Sequence, residues 1–570
     1  MKIVCLVKQV PHPTAIEFDE ETKTLKREGV PLVLNPFDRA AVATAVELGG
    51  EVVSMTMGPP QAEEALRETL AMGAARAIHL SDRVFAVADT LGTSRTLAMA
   101  LRKEGPDLVL CGRKTVDSET WQVPPEVAAF LGVPHLTNVS RIEAFDGRFR
   151  AVRETDTGEQ VFELEPSAVI SVAHAVPEAQ GGADGQIDVL TAQDLVDDLR
   201  PNDKRFGQTG SPTRVLAVRD VTPERAGKRV ATADEAVEEI RTLLGERPAP
   251  ATSWDKPGHI AEQPAAFYDC WTLVELADGQ PTRHSLELLG RGRDLAGKLG
   301  GKNVALIAGH GIEDATKEAV RHGAEVVVDV DDAQLRRYEP EPWAAALRQV
   351  VERHRPHVLL IPASAFGRDI GPRIAGELEL GMTGDCVAVD IAKAGRLLQT
   401  KPAYGGNIVS VIMGATTPQL ATVRARMYEP LEPRNNAAAE IRHFHLDGLP
   451  EARLGLAEEM PADRSGLELD AADVVVLTGP GVDLDGSEGV VVAGTDDADV
   501  PPRLRVGLYG RPVAPRLLIA VGLEGNPEEL SGFVKAAVVA AVGSGEAEWA
   551  DVAVEGDPTE IVPRLHEAVA

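Results

Sequence analysis

Residues 40–57 have the sequence AAVATAVELGGEVVSMTM, and this stretch decides the fold class. Ala40–Leu48 reads as a helix, a glycine pair ends it, and Val52–Met57 reads as a short apolar strand. The alternation extends on both sides, with further strands predicted at Ile3–Val7 and Leu108–Cys111. Short apolar runs that alternate with amphipathic helices predict βαβ units and a parallel sheet.

The same pattern begins again in the second half of the chain. Leu48-Gly49-Gly50 recurs as Leu299-Gly300-Gly301, and the other landmarks follow in the same order, at separations of 249 to 251 residues. This regularity predicts two copies of one α/β domain. The other paired landmarks are Met72-Gly73-Ala74 with His322-Gly323-Ala324, Gly105-Pro106-Asp107 with Arg355-Pro356-His357, and Leu131-Gly132 with Leu380-Gly381.

Composition narrows the functional class. The 570 residues include 58 Lys and Arg against 88 Asp and Glu, a formal net charge of −30, which disfavours binding to nucleic acid. Apolar runs are too short to span a bilayer, and the first residues lack a basic leader and a cleavage site, so we expect a cytoplasmic protein. The four cysteines lie far apart and predict buried, reduced thiols.

The loop Gly112–Pro125 is the strongest candidate site in the first half. It follows a strand and precedes a helix, where backbone amides can hold an anionic phosphate. Thr120 and Gln122 offer neutral hydrogen-bonding groups, and Arg113 and Lys114 could offset phosphate charge. The alternative is an ordinary polar loop with Asp117 near a helix cap.

Other stretches suggest structural roles or turns. Asp38 is a plausible N-cap of the helix that follows Asn35-Pro36-Phe37, and Gly367–Arg373 reads as a loop whose charges pair with one another. Lys401–Asn407 reads as a strand entry and a turn. No hydrolytic motif, phosphate loop or metal-ligand set is present, so any redox chemistry requires a bound organic cofactor.

Several of these motifs together resemble the electron transfer flavoproteins, with the β subunit fused ahead of the α subunit. The resemblance is carried in order by Val7–Val10, Asn35–Asp38, Met57-Gly58-Pro59, Leu70–Ala74, the Asp117–Val123 loop and Gly210–Val215, and after the linker by Ser285–Gly290, Gly367-Arg368-Asp369, Thr383–Cys386, Lys401–Asn407 and Ala421–Arg424.

The resemblance implies an electron carrier that works through FAD, with AMP or a second FAD in the β half. Partners would be a dehydrogenase or ferredoxin-type donor and a quinone reductase-type acceptor. Phe37 would approach the flavin ring, and Thr120-x-Gln122-Val123 is similar to the electron-bifurcating branch. The implied β-side contacts are Leu6, Asn35, Phe37, Met57, Gly112, Asp117, Thr120, Trp121, Gln122 and Val123.

The last domain departs from the family pattern. Gly479-Pro480-Gly481 stands where the family has Gly-Arg-Gly, and Glu529 replaces a histidine that would stabilise reduced flavin. A carboxylate there would repel the negative charge on that flavin. The β-subunit loop that docks dehydrogenases is replaced by Val176–Gly185. The implied α-side contacts that remain are Gly479, Gly481, Gly510, Pro515, Gly522 and Gly525.

The sequence therefore predicts an α/β fold. Two related parallel-sheet domains, similar to adenine nucleotide α-hydrolases, precede a smaller FAD-domain-like region. The expected boundaries are 1–245, a linker at 246–268, 269–430, a connecting segment at 431–470, and 471–570. The leading functional hypothesis is an electron carrier with one FAD, held in the β-like half, and no catalysis of its own. The alternatives are a flavin-free AMP-binding scaffold and, last, an adenine-nucleotide hydrolase.

Overall fold

The computed structural model describes residues 1–12, 17–19, 24–26, 30–174, 185–221, 223–246, 254–261, 268–403, 406, 408–461, 469, 472–484, 490–543 and 547–569. Parallel strands covered by helices recur throughout these residues, as the alternating pattern predicts. The four cysteines are buried free thiols, which confirms that prediction. None of the described helices combines the length and the hydropathy needed to cross a bilayer.

The helices and strands follow one another in three stretches of chain. The first contains β1 (Lys2–Leu6), β2 (Gln9–Pro11), β3 (Glu17–Asp19), β4 (Thr24–Lys26), β5 (Leu32–Leu34), α1 (Pro36–Leu48), β6 (Glu51–Met57), α2 (Glu63–Ala71), β7 (Arg76–Leu80), α3 (Thr90–Glu104), β8 (Leu108–Gly112), α4 (Val123–Leu131), β9 (His135–Phe145), β10 (Arg148–Thr155), β11 (Gly158–Leu164), β12 (Ala168–Val172), β13 (Ile187–Leu190), α5 (Ala192–Leu195), β14 (Thr213–Asp220), β15 (Lys228–Val230) and α6 (Ala233–Glu246). The second contains β16 (Cys270–Val274), β17 (Leu276–Ala277), β18 (Gln280–Pro281), α7 (Arg283–Leu299), β19 (Asn303–Gly309), α8 (Glu313–Arg321), β20 (Val326–Asp331), α9 (Pro340–His354), β21 (Val358–Pro362), α10 (Ala365–Glu377), β22 (Met382–Cys386), β23 (Ala388–Ile391), β24 (Leu397–Ala403), β25 (Ile408–Gly414), β26 (Gln419–Val423), β27 (Glu440–His443) and β28 (Leu454–Pro461). The third contains β29 (Val474–Thr478), β30 (Val490–Gly494), β31 (Leu517–Val521), α11 (Pro527–Ser531), β32 (Val538–Val542), β33 (Val552–Val554) and α12 (Pro558–His566).

The predicted duplication is confirmed by the topology of the two large sheets. The first sheet has the order β13-β7-β6-β1-β8-β12-β9-β10-β11-β28, and the second has β22-β26-β21-β16-β19-β20-β27. The chain visits the parallel positions in the same sequence in both sheets, because β1, β6, β7, β8, β9 and β12 correspond in place to β16, β19, β20, β21, β22 and β26. The halves meet where α4 packs on α10, so closely that a Cβ on Gly376 would lie 2.8 Å from the Cβ of Ala129.

The sheets do not follow the domain boundaries expected from chain order. Strand β14 pairs with β25 in the four-stranded sheet β14-β25-β24-β23, and β15 joins the last sheet, β15-β33-β32-β31-β29-β30. Helix α6 also packs on the last sheet, because its apolar residues Ala236, Val237 and Ile240 are buried against that sheet. Strand β28, from the expected connecting segment, extends the first sheet. Part of the expected linker packs on the second half, where the Ile260 amide donates to the carbonyl of Lys298 over 2.9 Å.

Two secondary-structure predictions need correction. The sequence pattern over Glu528–Val542 predicts one helix, whereas the structure has the short helix α11 followed by strand β32, because a short apolar run such as 536–542 fits either a buried helix or a buried strand. The expected loop Gly367–Arg373 lies within helix α10. Its charges pair mainly with other elements, since Arg368 binds Asp385 and Asp369 accepts from Thr137.

Candidate functional site

The first candidate site lies at the carboxyl edge of the first sheet. The chain runs from β1 outward to β6 and β7, then crosses back so that β8 pairs with the other side of β1. Open α/β sheets bind ligands at such a switch point, in the crevice outside the carboxyl ends of the strands. Leu6, Met57 and Gly112 end β1, β6 and β8, and Asn35 and Phe37 lie at the start of α1.

Direct hydrogen bonds join the two loops of this crevice. The Asn35 amide group donates to the carbonyl of Lys114 over 3.0 Å and accepts from the backbone amide of Val116 over 3.2 Å. Lys8 forms an ion pair with Asp117 over 2.6 Å. These contacts join the start of α1 and the segment after β1 to the loop that contains Asp117. Asp117 does not cap α4, which begins at Val123 without a side-chain cap from Gln122.

Asp38 has a different role from the N-cap that its position suggests. The N-cap of α1 is Asn35, and the buried Asp38 carboxylate accepts the backbone amides of Lys8 and Gly112 over 2.9 and 3.0 Å. Burial raises its pKa to about 7, although these hydrogen bonds oppose the shift. Asp38 therefore holds the strand ends of β1 and β8 in register at the crevice.

The loop after Gly112 combines buried cations, an aromatic ring and strained backbone. The charged groups of Arg113 and Lys114 lie 5.0 and 5.8 Å from the centre of the Trp121 ring. Glu119 and Trp121 adopt φ angles of 45° and 62°, in the left-handed region that bulky residues rarely occupy. The Nε1 of Trp121 is buried without a hydrogen-bond partner. Strained backbone and unsatisfied buried donors are typical of ligand sites.

A cavity of about 960 Å³ opens where the first half, the second half and the last domain meet. Arg113 and Trp121 belong both to the loop at the switch point and to the wall of this cavity. Ten Lys and Arg side chains line the cavity against seven Asp and Glu, whereas the whole chain is strongly acidic. Such a volume and such a charge balance suit a large anionic ligand.

Two carboxyl groups of the cavity wall have raised pKa values. Burial, together with the charge of Asp156, raises the pKa of Glu275 to about 8, and burial raises that of Glu287 to about 7. Asp156 differs: burial would raise its pKa, but the charges of Arg511 and Arg368 and the hydrogen bonds from Ala365 and Arg511 together outweigh burial and lower it. Near neutral pH, the cavity therefore holds a protonated Glu275 and a partly protonated Glu287 beside an ionised Asp156.

Comparison with known proteins assigns the family. The model of the electron transfer flavoprotein domain matches residues 22–195 and 270–448, which is more than half of the chain. The chain belongs to the electron transfer flavoprotein family. Its first part is 37% identical over 261 residues to an electron transfer flavoprotein subunit beta of Thermoanaerobacterium thermosaccharolyticum, which covers 43% of this chain and 99% of that protein.

The rest of the chain matches the other subunit of the family. It is 32% identical over 325 residues to an electron transfer flavoprotein subunit alpha of Clostridium acetobutylicum, covering 53% of this chain and 96% of that protein.

A Protein FixA of Azorhizobium caulinodans is 38% identical over 239 residues, with 38% of this chain and 84% of that protein covered. The order of these matches fits the predicted fusion of a β-like to an α-like subunit.

In the last domain of the chain, the backbone amides of residues 524–526, which follow β31, are occupied by the chain itself. The Glu529 carboxylate accepts the backbone amides of Glu524, Gly525 and Asn526, at 3.1, 2.7 and 3.2 Å. A Cβ on Gly525 would lie 2.2 Å from the Trp549 ring.

The remaining predicted contacts in this domain also serve internal packing. Cβ atoms on Gly479 and Gly510 would lie 2.2 and 2.4 Å from the carbonyl oxygens of Gly522 and Arg505. Gly481 and Gly522 adopt φ angles of 76° and 70°, and Pro515 is buried. Gly479, Gly510 and Gly522 are therefore packed against other parts of the chain, whereas nothing lies within 4 Å of a Cβ on Gly481.

Sequence reasoning missed the residues of the second half that contact the Gly112–Gln122 loop. Lys401, Arg424 and Asp385 lie more than 260 residues away in the chain, and although they stand in stretches that carry the family resemblance, nothing in the sequence predicted their contact with this loop. Across the described residues, no group of three or more His, Cys, Asp or Glu is arranged to hold a metal ion. The predicted replacement of the docking loop falls almost wholly on residues 175–184, which lie outside the described residues.

Proposed function

We propose that this chain carries electrons between partner proteins through one bound FAD, and that it catalyses no reaction of its own. The observation that carries the proposal is the position of Arg113 and Trp121, which line both the switch-point crevice and the interdomain cavity. If residues of the crevice bind FAD, Arg113 and Trp121 would also hold it from the wall of the cavity.

The crevice offers what an adenylate group requires. The buried Arg113 and Lys114 supply positive charge, whereas Phe37 and Asp38 occupy the space beside Gly112. Burial lowers the pKa of Arg113 to about 10, so its guanidinium stays charged at neutral pH. Thr120, Gln122 and Val123 lead into α4, where only the Val123 amide remains as a donor among the first three residues, because Pro124 and Pro125 carry no N–H. AMP would use the same groups if it took the place of FAD.

The cavity suits the redox-active end of the cofactor. FAD supplies the electron chemistry when bound, since it can accept and release electrons one or two at a time. The chain's own residues would bind it, exclude water and hold charge near it. We propose a dehydrogenase or ferredoxin-type protein as donor and a quinone reductase-type protein as acceptor.

The test is the absorption spectrum of the purified protein, with released nucleotide quantified by chromatography after denaturation. We expect flavin absorbance, about one FAD for each chain, and bleaching when a reductant is added. The double variant Trp121→Ala with Gln122→Ala should lose the nucleotide. The control Trp254→Ala should retain it, because the Trp254 side chain donates its hydrogen bond to the carbonyl of Glu432. Two FAD for each chain would instead indicate binding in the last domain and would favour electron bifurcation.

A second candidate is a flavin-free AMP-binding scaffold. The contacts of Glu529 favour it, because its carboxylate already accepts the backbone amide of Gly525 that could otherwise bind a cofactor in the last domain. AMP alone in the denatured protein, with no uptake of added FAD, would establish this second function and would exclude the electron carrier.

A further inference from the structure

The second half of the chain reaches into the nucleotide loop of the first half through Lys401. Its ammonium group donates to the carbonyl oxygens of Ser118 and Glu119, the latter over 3.0 Å. The Lys401 residue is only 6% exposed, so these contacts are shielded from water. Hydrogen bonds from a buried charged donor are stronger than those between neutral groups. Lys401 therefore fixes the backbone immediately before Thr120.

A chain of ion pairs supports the same stretch of the loop. The Glu119 carboxylate accepts from the Arg424 guanidinium over 3.0 Å, and Arg424 also contacts Asp385 over 3.2 Å. Asp385 in turn accepts two hydrogen bonds from Arg368, at 2.9 and 2.8 Å. The Arg368 guanidinium lies 4.4 Å from the centre of the Trp121 ring. The network thus ends on the ring assigned to the nucleotide site.

Backbone packing leaves the loop little freedom on this side. A Cβ on Gly384 would lie only 2.4 Å from the carbonyl oxygen of Thr120, so the two backbones are in close contact. The Gln122 amide group donates to the carbonyl of Met382 over 3.4 Å. Glu119 and Trp121 hold their unusual φ angles within this contact, and such conformations persist only where the surroundings enforce them.

We propose that Lys401 and Arg424 are positioning residues for the nucleotide, and that the second half holds residues 118–122 of the first half in the conformation that binds it. This inference rests on the proposed function, since it assumes that the nucleotide contacts Trp121 and Gln122. It adds that the affinity of the β-like site depends on side chains from the α-like half. Fusion of the two halves keeps this contact permanently in place.

Two measurements on the full chain test the proposal. The first is hydrogen–deuterium exchange of the backbone amides of residues 118–122 in protein stripped of nucleotide. The second is the affinity for added AMP and for added FAD. In Lys401→Met we expect faster exchange in this segment and roughly a tenfold loss of affinity, as expected when charge-assisted hydrogen bonds to a loop are removed. Lys401→Arg should recover part of both.

Arg424→Gln is the second variant, because it removes the cation of the second half that pairs with Glu119 while leaving Lys401 in place, and it leaves the 3.6 Å ion pair of Glu119 with Lys114. Lys298→Met is the matched control, since Lys298 pairs with Asp390 elsewhere in the second half. The control should leave exchange at 118–122 and both affinities unchanged.

Faster exchange with unchanged affinity would overturn the proposal, because the loop would then be held without effect on the site. Lost affinity with unchanged exchange would overturn it as well. If the wild-type chain binds neither AMP nor FAD, the proposed function fails, and the exchange data still report whether the second half holds the loop.

Discussion

Asp38 shows how one buried carboxyl can make the site sensitive to pH. Its pKa is raised to about 7, mainly by burial, so the native protein retains a proton that the unfolded chain releases near pH 4. The native state then binds more protons than the unfolded state between these values, and the free energy of unfolding falls as the pH rises through them. Above about pH 7, the loss of stability that the raised pKa of Asp38 causes is complete.

Asp38→Asn should abolish this dependence. Urea denaturation should show the variant gaining stability relative to the wild type by roughly 1.4 kcal/mol for each pH unit between about pH 4 and 7. The quantity to compare is the slope of this stability difference against pH. The absolute difference is less useful, because Asn cannot accept both backbone amides and the variant is therefore less stable from the start. A pH-independent difference would show that Asp38 is ionised in the native protein.

Gly112 tests the close contact at the switch point. A Cβ at this position would lie 2.6 Å from both the Asp38 carboxylate and the Phe37 Cβ, so Gly112→Ala must displace the start of α1 or the loop. We expect a loss of about 1–3 kcal/mol in the free energy of unfolding, together with loss of the nucleotide. Gly245→Ala is the control, because nothing lies within 4 Å of the added methyl group. If Gly112→Ala keeps the full nucleotide affinity, the nucleotide does not bind at this crevice.

At the scale of elements, sequence patterns predicted the features that depend on residues close together in the chain. Strands such as Val52–Met57 and their helices follow from periodicity, and the repeated landmarks predicted two sheets of one topology. Sheet membership depends on contacts distant in sequence, so the pairing of β14 with β25 and of β15 with β33 could not be read from either strand alone. The contact of Lys401 with residue 118 spans 283 residues and escaped prediction for the same reason.

Helix α6 gives a direct test of that long-range assignment. Ile240 is fully buried against the last sheet, so Ile240→Ala should cost about 2–4 kcal/mol through lost burial and the cavity left behind. Hydrogen exchange should accelerate in β31 and β32 and stay unchanged in β1 and β8. If hydrogen exchange accelerates in the first sheet instead, α6 packs on that sheet and belongs to the first domain. Arg241→Ala, half exposed on the same helix, should have little effect on either sheet.

At the scale of the whole molecule, the three parts enclose a cationic cavity within a protein of net charge −30. The acidic exterior would guide basic partner surfaces toward the protein, and salt would weaken that attraction. The cavity stays enclosed only while the last domain is docked, because residues 510–514 and 531–535 form one of its walls.

Docking of the last domain depends on a small apolar contact supported by polar ones. Leu508, 3% exposed, packs in a cluster with Val10, Phe37 and Val116 of the first half. Around it, Arg113 donates to the carbonyl of Tyr509 over 3.2 Å, and Arg511 pairs with Asp156 over 2.7 Å. Removal of the apolar contact should therefore separate the domain from the crevice without unfolding it.

Leu508→Asp makes that separation measurable. The substitution removes a buried leucine and places a charge in the cluster, which should weaken docking by about 3 kcal/mol or more. Small-angle X-ray scattering should show a larger radius of gyration, and any flavin in the cavity should become accessible to soluble quenchers. Arg516→Asp, an exposed position on the same domain, should leave both unchanged. If Leu508→Asp keeps the wild-type radius and quenching, polar contacts alone hold the domain, and the cavity wall does not depend on the apolar cluster.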